Sequence, residues 1–239
     1  MHPVRIRYAK LGKIRWTSHR DTCRMWERAF RRAVLPVAYS EGFSPRPRMH
    51  FGLALSTGHE SVGEYLDVDL LAETDLDLLP GLLSPVLPVG IDVQVVVTLA
   101  AQAVSLQADV TACTWLLEVT GLSCGEVTDA VAAALAAPTL DTTRTRKGIE
   151  SVDDIRPAIR TLQLVDDFAH WGEGSVVLRA ELATQPRGLR PAELLGAVLP
   201  GAEEARVVRT HQWIERDGAR REPIPYEATS LLHTLAVCA

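Results

Sequence analysis

The chain has 239 residues, 47% hydrophobic and 23% charged, with a formal net charge of −5. That length suits one large domain or two small ones and buries a core without disulfide staples. Its four cysteines, Cys23, Cys113, Cys124 and Cys238, form no C-x-x-C pair, which excludes a zinc ribbon or an iron–sulfur cluster of the chain's own. No apolar run reaches the roughly 18 residues of a membrane span. The opening Met-His-Pro-Val-Arg-Ile-Arg lacks a signal-type core, so the expected location is the cytoplasm, with reduced thiols.

The charge is segregated. Residues 1–50 hold 12 Lys/Arg against 3 Asp/Glu, a net of +9, and the remaining residues carry −14. Such asymmetry speaks of partners rather than fold. It predicts one face built for phosphates on an otherwise acidic body.

In chain order, residues 3–17 read as extended. Val4, Ile6 and Tyr8 alternate with Arg5 and Arg7, Gly12 marks a turn or bulge, and Ile14 and Trp16 resume the alternation. Residues 18–35 predict a helix capped by Ser18 with Asp21 three positions on, and stopped by Pro36. At 100° per residue, Cys23, Trp26, Ala29, Phe30 and Ala33 share one side of it. Arg20, Arg24, Arg28 and Arg31 share the other, flanked by Arg32.

The loop "YSEGFSPRPRMHFG" (39–52) follows, then strands over 48–56 and 62–71, a proline-punctuated helix over 74–88 and a strand over 91–100. The second half repeats that order: strand 113–121, a helix after Ser123, a turn-containing stretch, strand 174–184, a helix beginning near Pro191 and a closing strand 205–215. The expected class is α+β, two tandem ferredoxin-like (β-α-β-β-α-β) halves. The expected divisions are a basic domain 1–100, a linker 101–110, a second domain 111–216 and a tail 217–239 whose last residues form a short docking helix or strand.

The stretch "RIRYAKLGKIRWTSHRDTCRMWERAFRRAVLPVAYSEGFSPRPRMHFGLALSTGHESVGEYLDVDL" and, more weakly, "RKGIESVDDIRP" resemble a bacterial family of radical-SAM-linked proteins. The matching positions include Tyr8, Lys10, Gly12, Arg15, Ser18, His19, Asp21, Leu35-Pro36, Gly42-Phe43, Pro45-x-Pro47 and Glu64-Tyr65. The chain departs from the family pattern at Arg46, where a His commonly stands, and at Trp16, where a Phe does. The resemblance implies association with a radical SAM enzyme and with RNA or ribosome maturation. The cluster-binding C-x-x-x-C-x-x-C run is missing, so this chain would be the companion and not the enzyme.

Each candidate site has a structural alternative. Stacked like charges on a helix repel by a few tenths of a kcal/mol per pair, so something must neutralise them. The internal candidates are Asp21, Glu27, Glu64, Asp67 and Asp69; the external one is phosphate. In the loop, Pro45 and Pro47 stiffen the chain and Gly42 supplies unusual φ, while Tyr39 and Phe43 either stack on unpaired bases or, for Phe43, plug the core. His19, in the first turn, contacts phosphate or, with His50, does general acid–base chemistry as a metal-independent endoribonuclease would. Glu60, Glu64, Asp67 and Asp69 are the one dense carboxylate run, better suited as arginine partners than as a metal site. Arg144, Arg146 and Lys147 form a second basic cluster that could extend the first.

No phosphate-binding loop, dinucleotide fingerprint or nucleophile elbow occurs. The leading expectation is therefore a non-catalytic RNA-binding accessory without cofactor or metal. It would present tRNA or rRNA to a radical SAM partner through Lys10, Lys13, Arg15, His19, Arg24, Arg28, Arg31, Arg32, Tyr39, Phe43, Arg46 and Arg48. The alternative is a protein-docking module that touches no RNA.

Overall fold

The computed structural model describes residues 1–100, 102–146, 148–165, 172 and 174–226. It is α+β, as expected, and the described residues divide into two units: 1–110 with 214–226, and 111–213.

In the first unit the elements run β1 (His2–Lys10), α1 (His19–Arg32), β2 (Met49–Phe51), β3 (Glu60–Leu70), α2 (Leu79–Leu83), β4 (Ile91–Thr98) and α3 (Leu106–Asp109). β1 lies between β4 and β3, antiparallel to both, and β2 pairs antiparallel with β3. One face of β1 and β3 (Val4, Ile6, Tyr8, Leu66, Val68, Leu70) packs on Trp26, Ala29 and Phe30 of α1 and on Leu79 and Leu83 of α2. Tyr8 meets the Trp26 ring edge-on at 5.0 Å. Each of these large side chains contributes about 1.5–3 kcal/mol by leaving water.

In the second unit they run β5 (Val110–Thr120), α4 (Cys124–Ala136), β6 (Asp141–Arg146), β7 (Ile149–Asp154), β8 (Ile159–Leu164), β9 (Val176–Ala183), α5 (Pro191–Val198) and β10 (Glu203–Arg216). The strand order there is β10-β5-β9-β8, with β6 and β7 forming a separate hairpin. Ser123 caps α4 in a full capping box with Glu126. The last residues of β10 return to the first unit and pair with β11 (Ala219–Arg221).

Several expectations are corrected. Ile14 and Trp16 do not resume a strand; residues Gly12–Trp16 form a 3-10 turn. Gly12 has φ +73°, and Leu11 N–H is donated to Gly90 O at 2.8 Å, which turns the chain off the sheet. The strand expected over 48–56 is only three residues long, and the 74–88 helix is reduced to α2 between two 3-10 turns. Leu106–Asp109 form α3, with Leu106 buried. The end of the tail, 227–239, lies outside the described residues.

Arg5 and Arg7, expected on a wet strand face, are both buried. Arg5 binds Asp67 through two bonds of 2.6 and 2.8 Å across the β1–β3 ladder. Arg7 donates to Gln94 Oε1 at 2.7 Å and to Tyr65 Oη at 3.3 Å, and pairs with Glu222 at 3.6 Å. Its guanidinium also sits 4.5 Å from the Tyr226 ring centre, so the 222–226 segment is held on the first unit's sheet. A Cβ at Gly63 would come within 2.8 Å of Arg7 Nη2, so a side chain there would push the buried guanidinium from its partners. Burial raises the pKa of the Glu222 carboxyl above the usual range, against the opposing pull of Arg7.

Helix α1 ends in a reversal that places Val34 at φ +53°, with Leu35 N–H donated to Phe30 O at 3.0 Å. A β-branched residue is strained there by about 1–2 kcal/mol, and Val34 is 85% exposed, so its side chain contributes little in return. Val34→Gly is therefore expected to stabilise the protein by about 1 kcal/mol in urea denaturation; a loss of stability would contradict the strain. Asp67→Ala strands a buried guanidinium and is expected to cost about 3–5 kcal/mol in the same measurement.

Candidate nucleic-acid interface

The first turn of α1 is set by Ser18, whose hydroxyl accepts from Asp21 N–H at 3.1 Å and donates to the Asp21 carboxylate at 2.7 Å. That bond, with Arg24 and Arg20 adding their field, lowers the Asp21 pKa below the usual value. With Trp26, Ala29 and Phe30 buried, Arg20, Arg24, Arg28, Arg31 and Arg32 all emerge into solvent.

The loop after α1 is tied at its base. Tyr39 bridges to Pro47, Ser40 N–H is donated to Arg46 O at 2.8 Å, and Arg46 N–H to Ser40 Oγ at 3.1 Å. Below them, Arg48 N–H reaches Ala38 O and Ala38 N–H reaches Asp69 O, each at 2.8 Å. The loop thus holds Arg46 opposite α1. Between them lies a groove of about 410 Å³, lined by His19, Arg24, Arg31, Tyr39 and Arg46 among others, with Glu27 as its carboxylate.

Phe43 is wholly exposed and does not plug the core. Tyr39 is 45% exposed, so both aromatics offer faces to solvent.

The acids divide the basic residues into two sets. Arg15 pairs with Glu60 at 3.7 Å, Arg24 with Asp21 at 3.3 Å and Arg48 with Asp69 at 3.1 Å. Lys10 is buried and its ammonium donates to Thr17 O at 3.3 Å, so it is withdrawn from the surface set. In the carboxylate run of 60–69, Glu60, Asp67 and Asp69 thus hold arginines. By contrast, Lys13, Arg20, Arg28, Arg31, Arg32 and Arg46 make no ion pair among the described residues.

In the second unit, Arg144 on β6 pairs with Glu193 at 3.8 Å, and Arg187 holds both Glu193 and Asp153. Of that basic cluster, Arg144 is thus matched from within. The side chain of Arg146, and Lys147 altogether, lie outside what is described.

His19 stacks edge-on against Phe51 at 5.0 Å, with Nε2 3.6 Å from Cys23 Sγ. Burial and the nearby Glu27 carboxylate raise the Cys23 pKa, so the thiol stays protonated near neutrality. It is not an activated nucleophile. His19 and His50 line one cavity of about 380 Å³ on the other side of α1's first turn, together with Phe51, Asp67, Ser105 and Gln107. Sequence reasoning singled out His19, His50 and Asp67 but missed the rest of that wall, which needs β2 beside α1 and the start of α3 beside them.

The molecule is therefore an α+β protein whose first unit carries an arginine-lined groove on a helix face. Residues 4–191 match the family described as uncharacterized protein conserved in bacteria (DUF2344), and the chain belongs to that family. That description carries no link to a radical SAM enzyme. No curated protein matches the sequence.

Among solved structures, it is similar to a chain of a Cbf5-Nop10-Gar1 complex, with TM-score 0.49 and 8% identity over 87% of this chain and 48% of that one. It is also similar to a chain of an H/ACA RNP bound to a substrate RNA containing 2'-deoxyuridine, with TM-score 0.43 and 9% identity over 90% and 47%. The chain spans about half the length of these structures. No described helix is long and apolar enough to cross a membrane.

Because Glu27 raises the Cys23 pKa, Glu27→Gln lowers it and increases the thiolate fraction. Alkylation of Cys23 by iodoacetamide at pH 8 is expected to be faster in that variant than in wild type. An unchanged rate would mean that Glu27 does not act on the thiol.

Proposed function

We propose that this protein is a non-catalytic accessory that binds structured RNA through the groove between α1 and the 39–48 loop. It would act in the cytoplasm and present tRNA or rRNA to a radical SAM enzyme. The observation that carries the reading is the pair of exposed guanidinium groups on α1, Arg20 and Arg31, that line the groove with Arg46 and make no ion pair among the described residues. Guanidinium groups match phosphate oxygens bidentately, and the exposed rings of Tyr39 and Phe43 suit unpaired bases.

The enzyme partner rests on the sequence resemblance of the first 70 residues. The reading of both units as ferredoxin-like copies rests on their strand orders, β4-β1-β3 with β2 on β3, and β10-β5-β9-β8, each with a helix after its first and third strands.

The test is the affinity for a folded tRNA across a salt series. Each phosphate contact on duplex RNA is expected to contribute a slope of about −0.9 to log K against log salt, by analogy with DNA. Arg20→Glu with Arg31→Glu is expected to weaken binding at least tenfold and to flatten the slope by about 2. Salt-independent affinity, or affinity that both substitutions leave alone, would overturn the reading. So would purification with an acidic protein that survives nuclease treatment and brings no RNA.

A further inference from the structure

His19 and Cys23 line two cavities at once: the arginine groove and the 380 Å³ cavity on the far side of the first turn of α1. The two spaces are therefore neighbours separated by two side chains. Their linings differ. The groove is cationic, whereas the second cavity has apolar walls from Met49, Phe51 and Leu106 and polar edges from His50, Asp67 and Gln107.

We propose that this second cavity takes an unpaired nucleobase of the RNA whose phosphates the arginine groove holds. The inference rests on the proposed function and adds a base-binding subsite to it.

The chemistry favours a base over other occupants. A base is planar and apolar on its faces, and it carries donors and acceptors on its edge. Phe51 and Met49 supply surfaces for the faces. The Phe51 ring is fixed by the His19 edge 5.0 Å away. His50 and Gln107 are exposed at the cavity and supply edge partners.

Asp67 is held by two bonds from Arg5, so its oxygens are fixed acceptors rather than a mobile charge. The same carboxylate disfavours an acidic peptide side chain, which would place like charges together. The volume lies within the roughly 300–1,000 Å³ of small-molecule sites. A base stacked in a duplex cannot enter, so the subsite discriminates unpaired from paired RNA.

The variant is Gln107→Trp, a change at an exposed position on the cavity rim that leaves the arginines and the core untouched. Fluorescence anisotropy compares a short unstructured RNA, the same backbone made abasic, and a short RNA duplex. Wild type is expected to bind the intact strand about tenfold more tightly than the abasic one, the scale of one stacked base. Gln107→Trp is expected to lose most of that preference, the remainder being stacking on Tyr39 and Phe43, while keeping wild-type affinity for the duplex, which also shows that the variant is folded.

Equal wild-type affinity for intact and abasic strands would overturn the subsite and leave the phosphate groove standing. The same holds if Gln107→Trp retains the full preference. Failure of wild type to bind any of the three RNAs would instead overturn the groove and the subsite together.

Discussion

Helix α1 can keep four arginines on one side because its other side is pinned. Trp26, Ala29 and Phe30 are buried against Tyr8, Ile6 and Leu66, and that packing fixes the rotation of the helix about its axis. Like-charge repulsion along the exposed side costs a few tenths of a kcal/mol per pair, small beside the burial of a single large core side chain. The apolar contact therefore sets where the charges point, and the loop tied across Tyr39–Pro47 brings Arg46 to face them. The groove, its potential and any phosphate contact follow from that anchoring.

The acids of the first unit refine the electrostatic picture. The excess of basic residues in 1–50 is not uniformly free. Arg5, Arg7, Arg15 and Arg48 are matched by Asp67, Glu222, Glu60 and Asp69, all from later in the chain. What stays unmatched is concentrated on α1 and the loop. Internal neutralisation thus sharpens the cationic patch to the one helix face and its facing loop. In the second unit the same process consumes Arg144, whose partner Glu193 comes from α5.

Much of this was legible in the sequence. Ser18 and Asp21 announced the start of α1, and the 3.6-residue period separated Trp26 and Phe30 from the arginines. The α+β class followed from alternating strands and capped helices. Other features depend on pairing across long separations. The alternation that placed Arg5 and Arg7 on a strand face was right about direction and wrong about solvent. The partners Asp67, Gln94 and Glu222 lie 62 or more residues away and carry no local signal.

Lys10 failed as a surface cation for a related reason, since the 3-10 turn at Gly12–Trp16 brings Thr17 O back to it. Phe43 was ambiguous because exposure of a loop aromatic is decided by the loop's path. The cavity beside His19 joins residues from α1, β2, β3 and the start of α3, which no periodicity connects.

The central claim is that α1 and its facing loop form the surface that meets RNA. Ultraviolet crosslinking of the protein to bound tRNA, followed by mass spectrometry of the linked peptides, tests it most directly. The account predicts adducts within 19–48, foremost at Tyr39 and Phe43. Adducts confined to peptides of 111–213, or none in 19–48 under conditions where the RNA is bound, would contradict it.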